Sequence, residues 1–287
     1  MTMKFSNPEA SIFIPDGKSP DEALRRITHL GVGAHQDDLE IMAFHGIEQC
    51  FSSRDCAFGA VVCTNGGGSP RAGAYAGYSD ADMAVLRRRE QEKAAVIGNY
   101  AALVQLNHPS SAVKNVKSGD VKSDLVKILK AVRPEIVYTH NPADKHETHV
   151  ATVLTLLAAA RELPAGDRPK AVLGCEVWRG LDWLADDDKV AMDVGAREGL
   201  ARALIGVYDS QVAGGKSYDL ATIGRRHANA TYFQSHETDQ AEQLWFAMNL
   251  TPLVQNDSLD VADFVLAHID QFRRDVADKI RKYRAKP

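Results

Sequence analysis

The sequence predicts an α/β fold: a Rossmann-like, doubly wound and mostly parallel sheet with an elaborated C-terminal part. Three observations carry this. Apolar runs of strand length recur along the chain and suit strands buried on both faces. Helical patterns separate those runs, giving the βαβα alternation of a parallel sheet. The 287 residues are 45% hydrophobic and 25% charged, ordinary globular usage that excludes disorder, collagen-like repeats or a coiled-coil rod for the whole chain.

The first strand run is Ile27 to Ala34, followed by a helical pattern from Leu39 to Cys50. Ala57 to Thr64 leads into a helix over Asp82 to Tyr100, opened by the capping-box residues Ser79 and Asp82. Ala102 to Leu106 precedes a helix over Val121 to Val132, which Arg133 and Pro134 close. Glu135 to His140 precedes a helix over His149 to Glu162, and Ala171 to Val177 is the fifth strand. Beyond Val177 the pattern loosens into an aromatic turn with Trp178 and Trp183, an acidic loop from Asp186 to Asp188, a helix around Ala196 to Val207 and a Gly-rich stretch near Gly214 and Gly215. No linker interrupts it, so residues 1–287 read as one domain with 178–260 an irregular substrate-side extension. Residues 261–285 read as a long helix whose Val265, Ile269, Phe272, Val276, Ile280 and Tyr283 step by three or four. Such a stripe needs a packing partner, either its own domain or a second copy in a homo-oligomer.

Net charge is 34 − 38 = −4 and no block of five like charges occurs, which argues against nucleic acid as a partner. No stretch approaches the roughly 18 apolar residues of a membrane span, and the first twenty residues, with Pro8, Pro15, Asp16 and Pro20, hold no apolar run of signal-peptide length. A cytoplasmic address is the expectation. Cys50, Cys56, Cys63 and Cys175 form no C-x-x-C pair, so neither a disulfide framework nor a thiolate zinc site is indicated, and buried structural thiols are the expectation.

In open α/β sheets ligands collect at the carboxyl ends of the strands. Two polar clusters stand there. GAHQDDLE, residues 33–40, places His35, Asp37, Asp38 and Glu40 directly after the first strand, and THNPADKHETH, residues 139–149, places His140, Asp144, His146, Glu147 and His149 after the fourth. Imidazole and carboxylate suit Zn²⁺, and a catalytic zinc takes three protein ligands with one position open. His35, Asp38 and His149 can supply that set, which leaves Asp37 as a base. An Asp-rich run can also simply start a helix, but the second cluster at a neighbouring strand end favours the site.

These residues resemble the PIG-L/LmbE-like zinc de-N-acetylases. GAHQDDLE is similar to that family's A-H-P-D-D-x-E signature, ADKHETHVA to its D-x-H-x-D-H-x-A signature, and Arg87 and Glu90 fit its helical R-x-x-E pattern. Ser210 and Gln211 fit a weaker downstream signature. The resemblance implies a zinc hydrolase acting on an N-acetylated, sugar-containing small molecule. It implies His35, Asp38 and His149 as metal ligands, Asp37 as general base and His146 as electrophilic or acid histidine. Three departures stand out: Gln36 replaces Pro, Thr148 replaces Asp, and Ser110 stands near the place of a substrate-binding Asp. Arg71, Arg87 and His236 are candidate substrate contacts, while His45 reads as packed and the two tryptophans as core or pocket wall. The expected reaction releases acetate and a free amine. The same two-His-one-Asp set could hold Fe²⁺ in a non-haem iron enzyme, and an inactive sugar-binding homologue would keep the pocket without turnover.

Overall fold

The computed structural model describes residues 3–284. They build one eight-stranded sheet from β1 (Ser11–Phe13), β2 (His29–Gly33), β3 (Phe58–Thr64), β4 (Ala102–His108), β5 (Ile136–His140), β6 (Ala171–Cys175), β7 (Lys189–Asp193) and β8 (Leu244–Asn249), in the order β1-β4-β3-β2-β5-β6-β8-β7. The five strands expected from the sequence are β2 to β6. They pair in parallel, Leu30 opposite Gly59 on one side and opposite Val137 on the other. The chain winds from β2 out through β3 and β4, then returns to the other side of β2 with β5 and β6. That reversal puts the topological switch point between β2 and β5, where a crevice opens at the strands' carboxyl ends.

Alternate residues of β3 feed two cores, one on each face. Val61 and Cys63 join a cluster with Leu30, Val32 and Leu129, while Phe58, Ala60 and Val62 join one with Leu39, Phe44 and Tyr138. A sheet covered on both faces explains why its strands are apolar throughout rather than alternating. Gly33 matters at the end of β2, since a Cβ there would stand 3.2 Å from Asp38 Cβ and Leu39 Cδ2. Its absence lets the next helix start directly against the strand.

The expected helix over 39–50 is divided at Ala43 into Asp38–Met42 and Phe44–Phe51, and the expected helix over 82–100 runs Asp80–Ile97 with the Ser79 capping box formed. Asp120–Val132 and Glu147–Arg161 match their expected spans closely, and Glu198–Gly206 lies within the one near 196–207. The 178–260 extension is more regular than its sequence suggests. It contributes antiparallel β7 and β8 and the helix Tyr218–Tyr232. The terminal helix runs Val261–Tyr283, and residue 285 lies outside the described residues. Among the described residues no helix is long and apolar enough to cross a membrane.

Candidate active site

Both polar clusters meet at the switch point. His35 and Asp38 turn off the end of β2, while His149 stands in the first turn of helix Glu147–Arg161, which follows β5. His35 Nδ1 lies 3.2 Å from His149 Nε2 and 3.4 Å from Asp38 Oδ2, and His149 Nε2 lies 3.3 Å from Asp38 Oδ1. Ligands about 2.0–2.1 Å from a tetrahedral zinc stand about 3.3 Å from one another, so these three side chains already hold a metal-ligand spacing. His149 and Asp38 are buried; His35 opens to the cleft.

Two further histidines lie close, and their other bonds separate them from the triad. His140 Nε2 accepts the Ala34 N–H at 2.9 Å, strapping the end of β5 to the end of β2, and lies 3.3 Å from Asp38. His146 caps its helix, Nδ1 accepting the Thr148 N–H at 3.3 Å. Asp144 organises the turn between them: it accepts the His146 N–H at 2.9 Å and the Trp178 N–H at 3.1 Å and lies 3.6 Å from His149 Nδ1. A carboxylate behind a ligating histidine is the usual outer partner of a zinc imidazole. The donor set, its spacing and this backing all fit a divalent metal.

The charges follow from the packing. Burial would raise the Asp38 carboxyl, but His149 and His140 hold it well below the usual carboxylate range. His149 is pushed up to about 9, burial being outweighed by Asp38 and Asp144. Burial, with His149 and His35 nearby, lowers His146 to about 4. Asp37 is raised by burial and by Asp38, against the pull of Arg87.

Asp37 lines the same cleft with φ 90°. Arg87 Nη2 reaches its Oδ2 at 2.9 Å while also binding the Gln36 carbonyl, and the Tyr218 hydroxyl donates to the same Oδ2. The Asp37 N–H donates to Gln91 Oε1 at 3.2 Å. Arg87 and Gln91 come from one face of helix Asp80–Ile97, and Glu90 from that helix accepts the Ser210 N–H and hydroxyl at 2.8 and 2.7 Å. The R-x-x-E pattern and the Ser210-Gln211 pair are therefore two halves of one buried joint. Tyr218 escaped the sequence reading because it begins a polar helix just beyond Gly215, with no strand end or motif to mark it.

The cleft holds about 170 Å³ and is walled by Ile41, Pro70, Val177, Trp178, Gln211 and Thr222. This makes Trp178 a pocket wall, while Trp183 packs partly buried against the core. His45 is packed, its Nδ1 2.9 Å from the Tyr138 hydroxyl. Two candidate substrate contacts are corrected. Arg71 bonds the carbonyls of Ser69, Gly67 and Tyr78 and pairs with Asp80, so its guanidinium braces its own loop instead of facing the cleft. His236 lies on an exposed turn and is absent from the cleft wall. Arg87 does line the cleft, yet its bonds go to Asp37 and Gln36. Ser110 borders a different cleft, with Asn65, Arg88 and Arg89.

Three donors at metal-ligand spacing at the switch point of a doubly wound sheet, with a buried carboxylate beside them, have the composition of a metal-dependent hydrolase site. The comparisons with known proteins agree. Residues 30–160 match the family model described as PIG-L: GlcNAc-PI de-N-acetylase. The uncharacterized deacetylase YaiS of Escherichia coli (strain K12) is 28% identical over 146 residues, 47% of this chain and 69% of that protein. Among solved structures, N,N'-diacetylchitobiose deacetylase from Pyrococcus horikoshii superposes with a TM-score of 0.57 at 18% identity, covering 76% of this chain and 82% of that one. The 4-carboxy-2-hydroxymuconate hydratase GalB from Pseudomonas putida KT2440 also superposes with a TM-score of 0.57, at 16% identity and over 78% and 96% of the two chains. The stretch that carries the site is thus the stretch that matches the PIG-L model, and the chain is similar in sequence to a deacetylase and in fold to a deacetylase and a hydratase.

Proposed function

We propose that the protein is a zinc-dependent hydrolase that removes the N-acetyl group from a small amino-sugar-type substrate, releasing acetate and a free amine. One observation carries this reading: three donors spaced as zinc ligands stand at a cleft also lined by the buried carboxylate of Asp37, whose bonds to Arg87 and Tyr218 both fall on Oδ2. His35, Asp38 and His149 would hold the ion. When bound, zinc polarises the acyl carbonyl and lowers the pKa of a coordinated water toward about 7.

The chain's own groups do the rest. Arg87 and Tyr218 both bind Asp37 Oδ2, which leaves Oδ1 to take the proton of the attacking water. The proton held there passes to the departing amine, so amide and water become acetate and amine with nothing left over. His146 accepts a backbone N–H at Nδ1, so its neutral ring carries the proton on Nε2 and can donate it as a hydrogen bond to the carbonyl oxygen when charge develops. That backbone N–H belongs to Thr148, so main chain fixes the His146 tautomer whatever the side chain at 148. A cleft of this size takes the acetamido end, leaving the remainder of the substrate at the mouth beside Trp178.

The test is acetate release from a panel of N-acetylated amino sugars and their conjugates, with metal content measured on the same samples, including protein purified without added metal. Acetate release tracking bound zinc supports the reading. A metal-loaded protein that releases none, or that hydrates an enol acid as GalB's activity would require, overturns it. Activity that follows iron instead would retain the site and replace the metal.

A further inference from the structure

We propose a second metal site, at the opposite end of β2 from the catalytic cleft, in which His29, Cys50 and Cys56 hold a soft divalent cation of the zinc class. Each offers a donor atom within 4.8 Å of the other two. They arrive from three places: His29 opens β2, Cys50 lies in the last turn of helix Phe44–Phe51, and Cys56 ends the exposed turn before β3. No C-x-x-C spacing announces this group, because its third member comes from a neighbouring strand.

The surroundings are those of a ligand cluster rather than of isolated core thiols. Cys50 and Cys56 are both free thiols, the first buried and the second half-buried. The Thr28 hydroxyl lies 2.9 Å from His29 Nδ1, and the Tyr138 ring stacks on His29 with centroids 6.2 Å apart and planes 19° apart. A hydroxyl bonded to one ring nitrogen fixes the orientation of the imidazole and leaves the other nitrogen for a cation. Thiolate and imidazole together select zinc over magnesium or calcium. Sulfurs about 2.3 Å from a tetrahedral zinc stand about 3.8 Å apart, so the donors must close by at most about 1 Å. Cys56 can make that movement. It is half-buried beside exposed Ser52 to Asp55, and its Sγ donates to the Gln49 carbonyl at 3.6 Å. Binding a cation releases the thiol protons. Water completes the coordination. None of these residues belongs to the catalytic cleft, so the proposal stands or falls independently of the deacetylase reading.

The test is a titration of the reduced, metal-stripped full chain with Co²⁺ alone. Only thiolate ligation gives a near-ultraviolet sulfur-to-cobalt charge-transfer band, and the catalytic cluster contains no sulfur. The wild type is expected to show the band, saturating once both the catalytic and the thiolate site are filled, at about two equivalents, and displaced by Zn²⁺. In Cys56→Ser and in His29→Gln the affinity read from the band should fall by more than the about 10–100-fold that loss of an outer partner costs, with catalytic-site metal retained. Cys56 closes an exposed turn, so its serine variant keeps the fold; circular dichroism checks this. No band in the reduced wild type, or an equal band in Cys56→Ser, overturns the site.

Discussion

Asp37 is held in a conformation that few residues other than glycine adopt, at φ 90°, between Arg87 and Tyr218. A strained, buried carboxylate costs about 1–3 kcal/mol for its backbone alone, a cost found at sites where geometry serves chemistry. Asp37→Asn keeps the shape and removes the proton acceptor, so kcat should fall about 10²–10⁴-fold while metal content stays at the wild-type value. Near wild-type turnover would remove Asp37 from the mechanism. Tyr218→Phe deletes one of the two bonds on Oδ2 without touching a metal ligand; kcat should drop about tenfold with KM little changed, the pattern of a residue acting through the base. His149 yields a pH prediction. In the metal-free protein it is raised to about 9, because Asp38 and Asp144 outweigh burial, so near neutral pH the metal must displace its proton. Apparent metal affinity should therefore climb about tenfold per pH unit up to about 9. Calorimetric titrations in buffers of different ionisation enthalpy should show the proton released, and pH-independent affinity below 9 would contradict the assignment. By the same shift, the His149 contribution to metal-free stability is complete below its ordinary 6.5 and is lost as pH rises through about 9.

Helix Asp80–Ile97 is the element that joins the catalytic turn to the C-terminal part. Its buried face supplies Arg87, Glu90 and Gln91, to Asp37, Ser210 and Glu40 among others. Burial raises the Glu90 carboxyl, and its bonds with Ser210 oppose that rise. Glu90→Ala leaves a backbone N–H and a hydroxyl of Ser210 without their acceptor, and each such orphan costs about 1–3 kcal/mol. Urea unfolding should show a loss of about 2 kcal/mol or more, and a smaller change would mean that the joint is not structural. At this scale the sequence was legible where physics leaves a short-range mark. The central strands are apolar because both faces are covered, and the metal cluster is visible because its residues fall at strand ends. β1 is three residues in a Pro-rich segment, β7 mixes buried and exposed positions, and the Tyr218 helix is polar, so none carries a periodic signal. β8 is apolar enough to be read as a strand, but only its antiparallel pairing with β6 and β7 shows that the sheet continues. The failure of Arg71 has a related cause: a sequence lists a guanidinium without showing that its own loop's carbonyls already surround it.

For the whole molecule, the terminal helix Val261–Tyr283 is the element whose apolar face is least covered. Val265 is buried at 8% exposure, but Ile269, Phe272, Val276 and Ile280 remain 39, 44, 38 and 61% exposed and Tyr283 77%. Thus the sequence stripe meets its own domain only at its start, beside Trp183 and beside Leu154 of helix Glu147–Arg161, and its later residues remain exposed. Apolar residues at three- and four-residue spacing left in water along several turns lose the burial that would stabilise a helix of this length, roughly 1.5–3 kcal/mol for each large side chain covered. A second copy of the same helix offers the same stripe in return, and a two-fold pairing satisfies both at once. The expected outcome is a dimer or higher oligomer by light scattering, with Phe272→Glu shifting the mass toward the monomer because a charge at mid-stripe cannot be buried unpaired. Acetate release should survive in that variant, since the stripe lies away from the cleft. A wild-type mass that stays monomeric across the accessible concentration range would reject self-association through this helix and leave the stripe without a partner in the purified protein.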